Sequence, residues 1–184
     1  MPSSPVAPTA SPITAPPDAE ALYARLLDQV RCTLAAQPEP PLLIGIYSGG
    51  AWLAQRLHAD LQLTQPYGVV SSTFHRDDFA TRGLHPSANR TALPVSIADR
   101  AVLLIDDVLH TGRTTRAAIN ELFDFGRPAR IDLAVLVDRG GRELPICPQI
   151  AAATLTLPAE FSLALLRDED VTEGIRFRFD LVNR

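Results

Sequence analysis

The run Val102-Leu103-Leu104-Ile105-Asp106-Asp107-Val108-Leu109-His110-Thr111-Gly112-Arg113-Thr114 decides how the rest of the chain is read. Its first four residues are apolar without alternation, the pattern of a parallel strand covered on both faces. The strand is predicted to stop at the carboxylates of Asp106 and Asp107. Val108, Leu109 and His110 follow, and Thr111-Gly112-Arg113-Thr114 opens a helix marked by Ala118, Ile119, Leu122 and Phe123 at helical spacing. In an open α/β sheet, ligands sit beyond the carboxyl ends of the strands, where a helix N-terminus offers unpaired N–H groups and the positive end of its dipole. Gly112 and the threonine hydroxyls suit a phosphate, whereas the two aspartates suit hydroxyls or a hydrated metal ion. One loop thus presents donors for a phosphate and acceptors for the polyol that carries it, the two demands of a phosphorylated sugar.

A second strand-to-helix loop lies upstream. Leu42 to Tyr47 reads as a buried strand, and Ser48-Gly49-Gly50 leads at once into a helix carrying Leu53, Ala54, Leu57 and Leu61. The GxGxxG spacing of a dinucleotide fingerprint is missing, so two glycines that let the backbone approach an anion closely are the better description.

At 184 residues the chain fits one domain that can bury most of its unfolded surface without a disulfide or structural metal. Its net charge of −4 argues against nucleic-acid binding by bulk electrostatics. Cys32 and Cys147 lie far apart with no second pair, so neither a zinc site nor a disulfide framework is indicated, and a reducing cytoplasm is the simplest location. No apolar run approaches the roughly eighteen residues of a membrane span, and no secretory signal opens the chain. The seventeen basic residues are all arginines. Without lysine, neither a Walker A loop nor a pyridoxal-phosphate Schiff base can be built, and phosphate must be held by arginine and backbone N–H groups.

Residues 1–17 are Pro, Ser, Ala and Thr with little apolar bulk and read as a disordered tail, leaving 18–184 as the folded domain. From an N-cap at Asp18, Leu22, Leu26, Val30 and Leu34 recur every fourth residue in an amphipathic helix that covers one sheet face, with Arg25 and Arg31 solvated. Tyr67 to Phe74 is β-prone. The polar stretch from His75 to Pro94, with Arg76, Arg82 and Arg90, is long enough without structure to be a functional loop. Ile131 to Val137 is another buried strand, Ala151 to Leu157 a sheet-edge strand, and Ile175 to Val182 a half-exposed one; Pro158 to Asp170 stays unassigned. The fold class is α/β, a doubly wound, mostly parallel sheet with flanking helices.

The thirteen residues from Val102 to Thr114 resemble, nearly position for position, the signature with which type I phosphoribosyltransferases bind phosphoribosyl diphosphate (PRPP). Two further stretches, STFHRDDF from Ser72 and FDFGRPARIDLAVLVDRGGRELP from Phe123, resemble the PyrR-type branch, uracil phosphoribosyltransferases that also regulate pyrimidine operons. The likeness covers most of Leu42 to Ile146. It implies a type I phosphoribosyltransferase-like sheet with small hood and base-pocket elements, converting uracil and PRPP to UMP and diphosphate with Mg2+ accompanying PRPP. It implies a PRPP site made of Ser48, Gly49, Gly50, Asp106, Asp107, Val108, Leu109, His110, Thr111, Gly112, Arg113 and Thr114. Within it, Asp106 and Asp107 hold the ribose hydroxyls, His110 to Thr114 wrap the 5-phosphate and Ser48-Gly49-Gly50 meets the pyrophosphate. Uracil would lie near Val137, Asp138 and Arg139, and the residues expected to act in catalysis are Asp106, Asp107, His110 and Arg76. The loop carrying Arg76, Arg82 and Arg90 is expected to close over PRPP, and the protein to be a cytoplasmic homo-oligomer, dimer or higher, with no membrane partner.

Two departures from the branch stand out. His110 occupies a position where these relatives usually carry Tyr, and a neutral imidazole is suited to take the N1 proton of uracil. Cys147 stands where an Arg usually follows the ELPI motif. The alternative function implied by the resemblance is a UMP-sensing, RNA-binding attenuation regulator, for which Arg25, Arg31, Arg130 and Arg142 are the available cations. The missing Arg and the negative net charge predict weak or absent RNA binding.

Overall fold

The computed structural model describes residues 15–71, 90–170 and 174–183. Arg76, Arg82 and most of the expected closing loop, together with the tail through residue 14, lie outside the described residues.

Helix α1 (Ala19–Ala35) begins at Asp18, whose carboxylate accepts from the N–H groups of Glu20 and Ala21 at 3.0 and 3.1 Å, as the N-cap reading requires. Strand β1 (Leu42–Ile46) is buried throughout and feeds α2 (Gly49–Asp60). The short β2 (Gly68–Val70) follows, then β3 (Ala101–Leu109), α3 (Arg113–Phe125), β4 (Arg130–Asp138) and β5 (Ile150–Thr154). These five strands form one parallel sheet in the order β2-β1-β3-β4-β5. The chain winds outward from β1 to β2, then crosses back to β3, so strand order reverses between β1 and β3. That reversal opens a crevice at the carboxyl end of the sheet between the β1 and β3 loops.

Helices α1 and α2 cover one face, where Leu26, Val30, Leu53 and Leu57 pack on Leu43, Leu103, Ile105 and Leu136. On the other face α3, through Ala118 and Leu122, and Ile97 pack on Leu42, Ile44, Val102, Leu104 and Val135. Both faces being buried accounts for the unbroken apolar runs. Phe123 departs from its expected place on the apolar stripe: it is 41% exposed, with the Arg127 guanidinium 5.4 Å from its ring centroid. One residue past Leu122 is a turn of about 100° around the helix, which carries Phe123 off the buried face.

Two expectations are corrected here. β3 does not stop at the carboxylates but continues to Leu109, because β4 is long enough to keep offering partners: Asp106 pairs with Val135, Val108 with Val137 and Leu109 with Asp138. The unassigned stretch after Pro158 forms a strand, β6 (Phe161–Asp170), antiparallel to β7 (Gly174–Asn183) in a separate two-stranded sheet. The hairpin lies on the α1/α2 side and buries Leu163, Leu165, Phe177 and Phe179. Arg56 clamps it: its guanidinium makes a two-pronged pair with Glu20 at 2.7 and 2.9 Å and stacks over the Tyr23 and Phe177 rings, while Glu20 also accepts from the Phe177 N–H at 2.6 Å. Burial alone would raise the Glu20 carboxyl, but the Arg56 guanidinium and the Phe177 N–H, helped by the charge of Arg176, hold it below its ordinary value. Among the described residues no helix is long and apolar enough to cross a membrane.

Candidate active site

The strand order brings three loop starts together at one end of the sheet. Gly45 pairs with Ile105, so the chain leaves β1 level with Asp106 on β3, and Leu109 pairs with Asp138 at the end of β4. Ser48-Gly49-Gly50 and Asp138-Arg139 therefore follow the ends of the strands on either side of β3, whose acid pair lies in the ladder beside the first of these loops.

The β1 loop and the acid pair are in contact. A Cβ built on Gly49 would lie 2.5 Å from Asp107 Oδ2 and 2.6 Å from its Cγ, so only a glycine leaves room for the carboxylate there. A Cβ on Gly50 would strike the Ile105 carbonyl oxygen, which fixes how closely α2 approaches β3. The first turn of α2 has no side-chain cap from Ser48, and the Tyr47–Ser48 peptide bond is cis. The uncapped N–H groups at this helix start face the crevice with the positive end of the dipole.

Asp106 is 5% exposed and Asp107 half-buried. Each carboxylate accepts from the next backbone N–H, Asp106 Oδ1 from Asp107 at 3.0 Å and Asp107 Oδ1 from Val108 at 2.9 Å. These bonds fix the orientation of both side chains using one oxygen each. Val108 and Leu109 belong to β3, and the Leu109 side chain is buried in the core with its carbonyl accepting from the Arg139 N–H at 3.0 Å.

The turn itself is His110-Thr111-Gly112. Gly112 caps α3 with φ +90°, a conformation that L side chains rarely adopt, so glycine is required there by its backbone. Thr111 Oγ1 accepts from the Arg113 N–H at 3.2 Å, and Thr114 is half-buried in the first turn. The Thr115 hydroxyl, one residue on, is buried without a hydrogen-bond partner among the described residues.

Sequence reasoning did not foresee how tightly the loop after β4 is fastened to this turn. The N–H groups of Glu143 and Leu144 both donate to the Thr111 carbonyl, at 3.0 and 3.2 Å. Ile146 and Leu144 pack against Gly112 closely enough that a Cβ there would come within 3.3 and 3.4 Å of theirs. The His110 ring lies against Gly141, whose Cβ would fall 2.7 Å from Nε2. Arg142 forms an ion pair with Asp138 at 2.7 Å and donates to the His110 carbonyl at 2.7 Å, so this arginine, counted above among the cations for RNA, points inward. Of the residues expected to meet the base, Val137 is fully buried in the core, Asp138 is half-buried with Oδ1 accepting from the Gly140 N–H, and the Arg139 side chain is 8% exposed. The periodicity of β4 marked its end, but the cross-loop bonds use backbone carbonyls and left no compositional trace.

The arrangement offers an anion-binding helix start on each side of two oriented carboxylates, with a third loop closing one flank. Among the described residues no cluster of three or more His, Cys, Asp or Glu could cage a metal. Two neighbouring carboxylates nonetheless match the way Mg2+ is usually held, by one or two acids together with substrate oxygens and water.

Comparison with known proteins agrees with this fold. Residues 10–151 match the phosphoribosyl transferase domain family. The chain is 53% identical over 163 residues to a protein of Ralstonia nicotianae named bifunctional protein PyrR, covering 88% of this chain and 92% of that one. A protein of the same name from Nitrosococcus oceani is 42% identical over 161 residues, covering 86% and 91%. Among solved structures, the hypoxanthine phosphoribosyltransferase of Trypanosoma cruzi superposes with a TM-score of 0.57 at 18% identity, covering 95% of this chain and 97% of that one. A hypoxanthine phosphoribosyltransferase of Staphylococcus aureus gives 0.59 at 18%, covering 80% and 78%. At such identities the structures speak for the fold alone. With the domain match spanning β1 to β4 and the PyrR proteins aligned over most of the chain, the protein belongs to the type I phosphoribosyltransferases and, within them, to the PyrR type.

Proposed function

We propose that the protein transfers the phosphoribosyl group of PRPP to N1 of uracil, giving UMP and diphosphate. The observation that carries this reading is the contact between the glycine loop of α2 and the Asp106-Asp107 pair, with the phosphate-type turn of α3 beside them. In this reading Gly49, Gly50 and the N-terminus of α2 receive the pyrophosphate, Asp106 and Asp107 accept from the ribose hydroxyls, and His110 to Thr114 receive the 5-phosphate. Three anchored portions of one substrate leave the anomeric carbon between them, so the chain contributes mainly by positioning and by stabilising the departing charge. Mg2+ bound with PRPP supplies further neutralisation of that charge, and Asp106 and Asp107 are the residues suited to hold it. Loss of the N1 proton from uracil falls to a base at the rim, and the His110 ring, lying against Gly141 of the base-side loop, is within that region. Arg76 keeps its expected part, outside the described residues. The reading also retains one folded domain from Asp18, a homo-oligomeric enzyme and a cytoplasmic location.

The Asp106→Asn and Asp107→Asn variants test the reading. Asn preserves the oxygen that accepts from the next N–H, so the fold should survive while turnover drops by at least about 10²-fold, the size of a lost charge-directed contact in a catalytic site. Wild-type kcat/KM in both variants would sink the assignment.

The relatives' name calls them bifunctional, and the resemblance in sequence supports a second reading, a UMP-responsive RNA-binding regulator. The available cations speak for its being weak here: Arg142 is turned inward onto Asp138 and loop carbonyls, leaving Arg25, Arg31 and Arg130 exposed, the last two beside Asp28 and Asp132. Gel shifts against the leader transcript of its own pyrimidine genes are expected to show no sequence-specific complex. Nanomolar, UMP-stimulated binding absent with a scrambled leader would promote the regulator.

A further inference from the structure

Beside the Glu143 and Leu144 N–H bonds to the Thr111 carbonyl, the loop after β4 is tied to the turn by one side chain whose every nitrogen is engaged. Arg142 Nε donates to the Ile146 carbonyl at 2.9 Å, Nη1 to the His110 carbonyl at 2.7 Å with longer approaches of 3.4 Å to those of Leu109 and Gly140, and Nη2 pairs with Asp138 at 2.7 Å. The acceptors belong to the end of β3, the end of β4 and the far side of the loop. Ile146, held by this bond, is also the residue that packs over Gly112 at the N-cap of α3. The Arg113–Glu143 pair spans the same gap, but both side chains are more than half exposed, so solvent leaves it little hold. A planar guanidinium with five N–H groups in a fixed fork satisfies such a divergent set, and a lysine ammonium does not.

From this geometry we propose that Arg142 is a positioning residue that locks the base-side loop and the phosphate-side turn into a single rigid unit, so that the two substrates are held in one frame. The proposal rests on the phosphoribosyltransferase reading of the site. Arg142 acts through Asp138 and the carbonyls of Leu109, His110 and Ile146, and its loss leaves only the two N–H bonds to the Thr111 carbonyl and the packing on Gly112 to keep the loops in register. A misplacement of about 1 Å is enough to cost on the order of 10²-fold in rate.

The test is steady-state UMP formation by wild type, Arg142→Ala and Arg142→Lys, each checked for folding by thermal unfolding. Expected are a fall of about 10²-fold in kcat/KM for both PRPP and uracil in Arg142→Ala, partial recovery on adding millimolar guanidinium, and no rescue by lysine. Wild-type kinetics in the lysine variant, a defect confined to the KM for uracil, or a folded alanine variant indifferent to guanidinium would overturn it. If Arg142→Ala fails to fold, the lysine variant alone decides. Wild-type protein that forms no UMP would refute the reading of the site and not the brace. The brace is then read from amide exchange at Glu143 and Leu144, expected to quicken in Arg142→Lys and contradicted by unchanged rates.

Discussion

Adding one methyl group at Gly49 probes the closest approach in the site. The new Cβ would stand 2.5 Å from Asp107 Oδ2 and 2.6 Å from Cγ, with the Asp107 Cβ at 2.9 Å. Comfortable contacts between such atoms begin near 3.5 Å, so the loop and the carboxylate must separate by about 1 Å. Because the whole Asp107 side chain is in the way, rotating its far end gives no relief. Whichever partner yields, the Ser48-Gly49-Gly50 loop and Asp107 lose their relation, and under the proposed function a shift of that size costs about 10²-fold in kcat/KM, or about 2.7 kcal/mol of barrier. Asp107 is only half-buried, so the stability cost of Gly49→Ala should fall at the low end of the roughly 1–3 kcal/mol of overpacking. Gly50→Ala makes the contrast: its Cβ would meet the Ile105 carbonyl oxygen and lie 3.0 Å from Asp106 Cα, backbone that cannot move without moving β3. Thermal unfolding beside steady-state UMP formation separates the two, with Gly49→Ala folded but slow and Gly50→Ala destabilised. A folded Gly49→Ala protein with wild-type kcat/KM would refute the adjacency of these groups in the working site.

Thr115→Val replaces a buried, unpartnered hydroxyl by a methyl of nearly the same shape, so it should stabilise by about 1 kcal/mol and raise Tm by about 2–4 °C; a lower Tm would contradict the hydroxyl's isolation. Glu20 has a carboxyl held below its ordinary value, so its contribution to stability is present above the unfolded-state value and is lost as pH falls below about 4. Glu20→Gln should therefore be less stable than wild type at neutral pH, with the difference shrinking in acid, and a gap that stays constant down to pH 3 would disprove the clamp's charge dependence.

The central strand and both strand-to-helix loops were legible because each rests on a local rule: an unbroken apolar run for a strand covered twice, and glycine or threonine at a helix start. The far end of β3 was not, since two aspartates inside a ladder read as a stop until β4 is seen to supply Val135 opposite Asp106 and Val137 opposite Val108. β6 escaped for a related reason. Its signal is the alternation of Leu163 and Leu165, which oppose Leu181 and Phe179, diluted by the charged run from Arg167 to Asp170, and it becomes a strand only by pairing with β7 and docking on α1 and α2. The role of Arg142 had no sequence signature, because its partners are mostly carbonyl oxygens whose position depends on three separate chain segments.

Purified protein incubated with PRPP, Mg2+ and each free nucleobase in turn tests the assignment of this fold to uracil most directly. UMP and diphosphate should appear in equal amounts from uracil, at least about tenfold faster than nucleotide from any other base, as expected of a pocket matched to one set of hydrogen-bonding groups. No nucleotide from any base, or faster turnover of a purine, would contradict it.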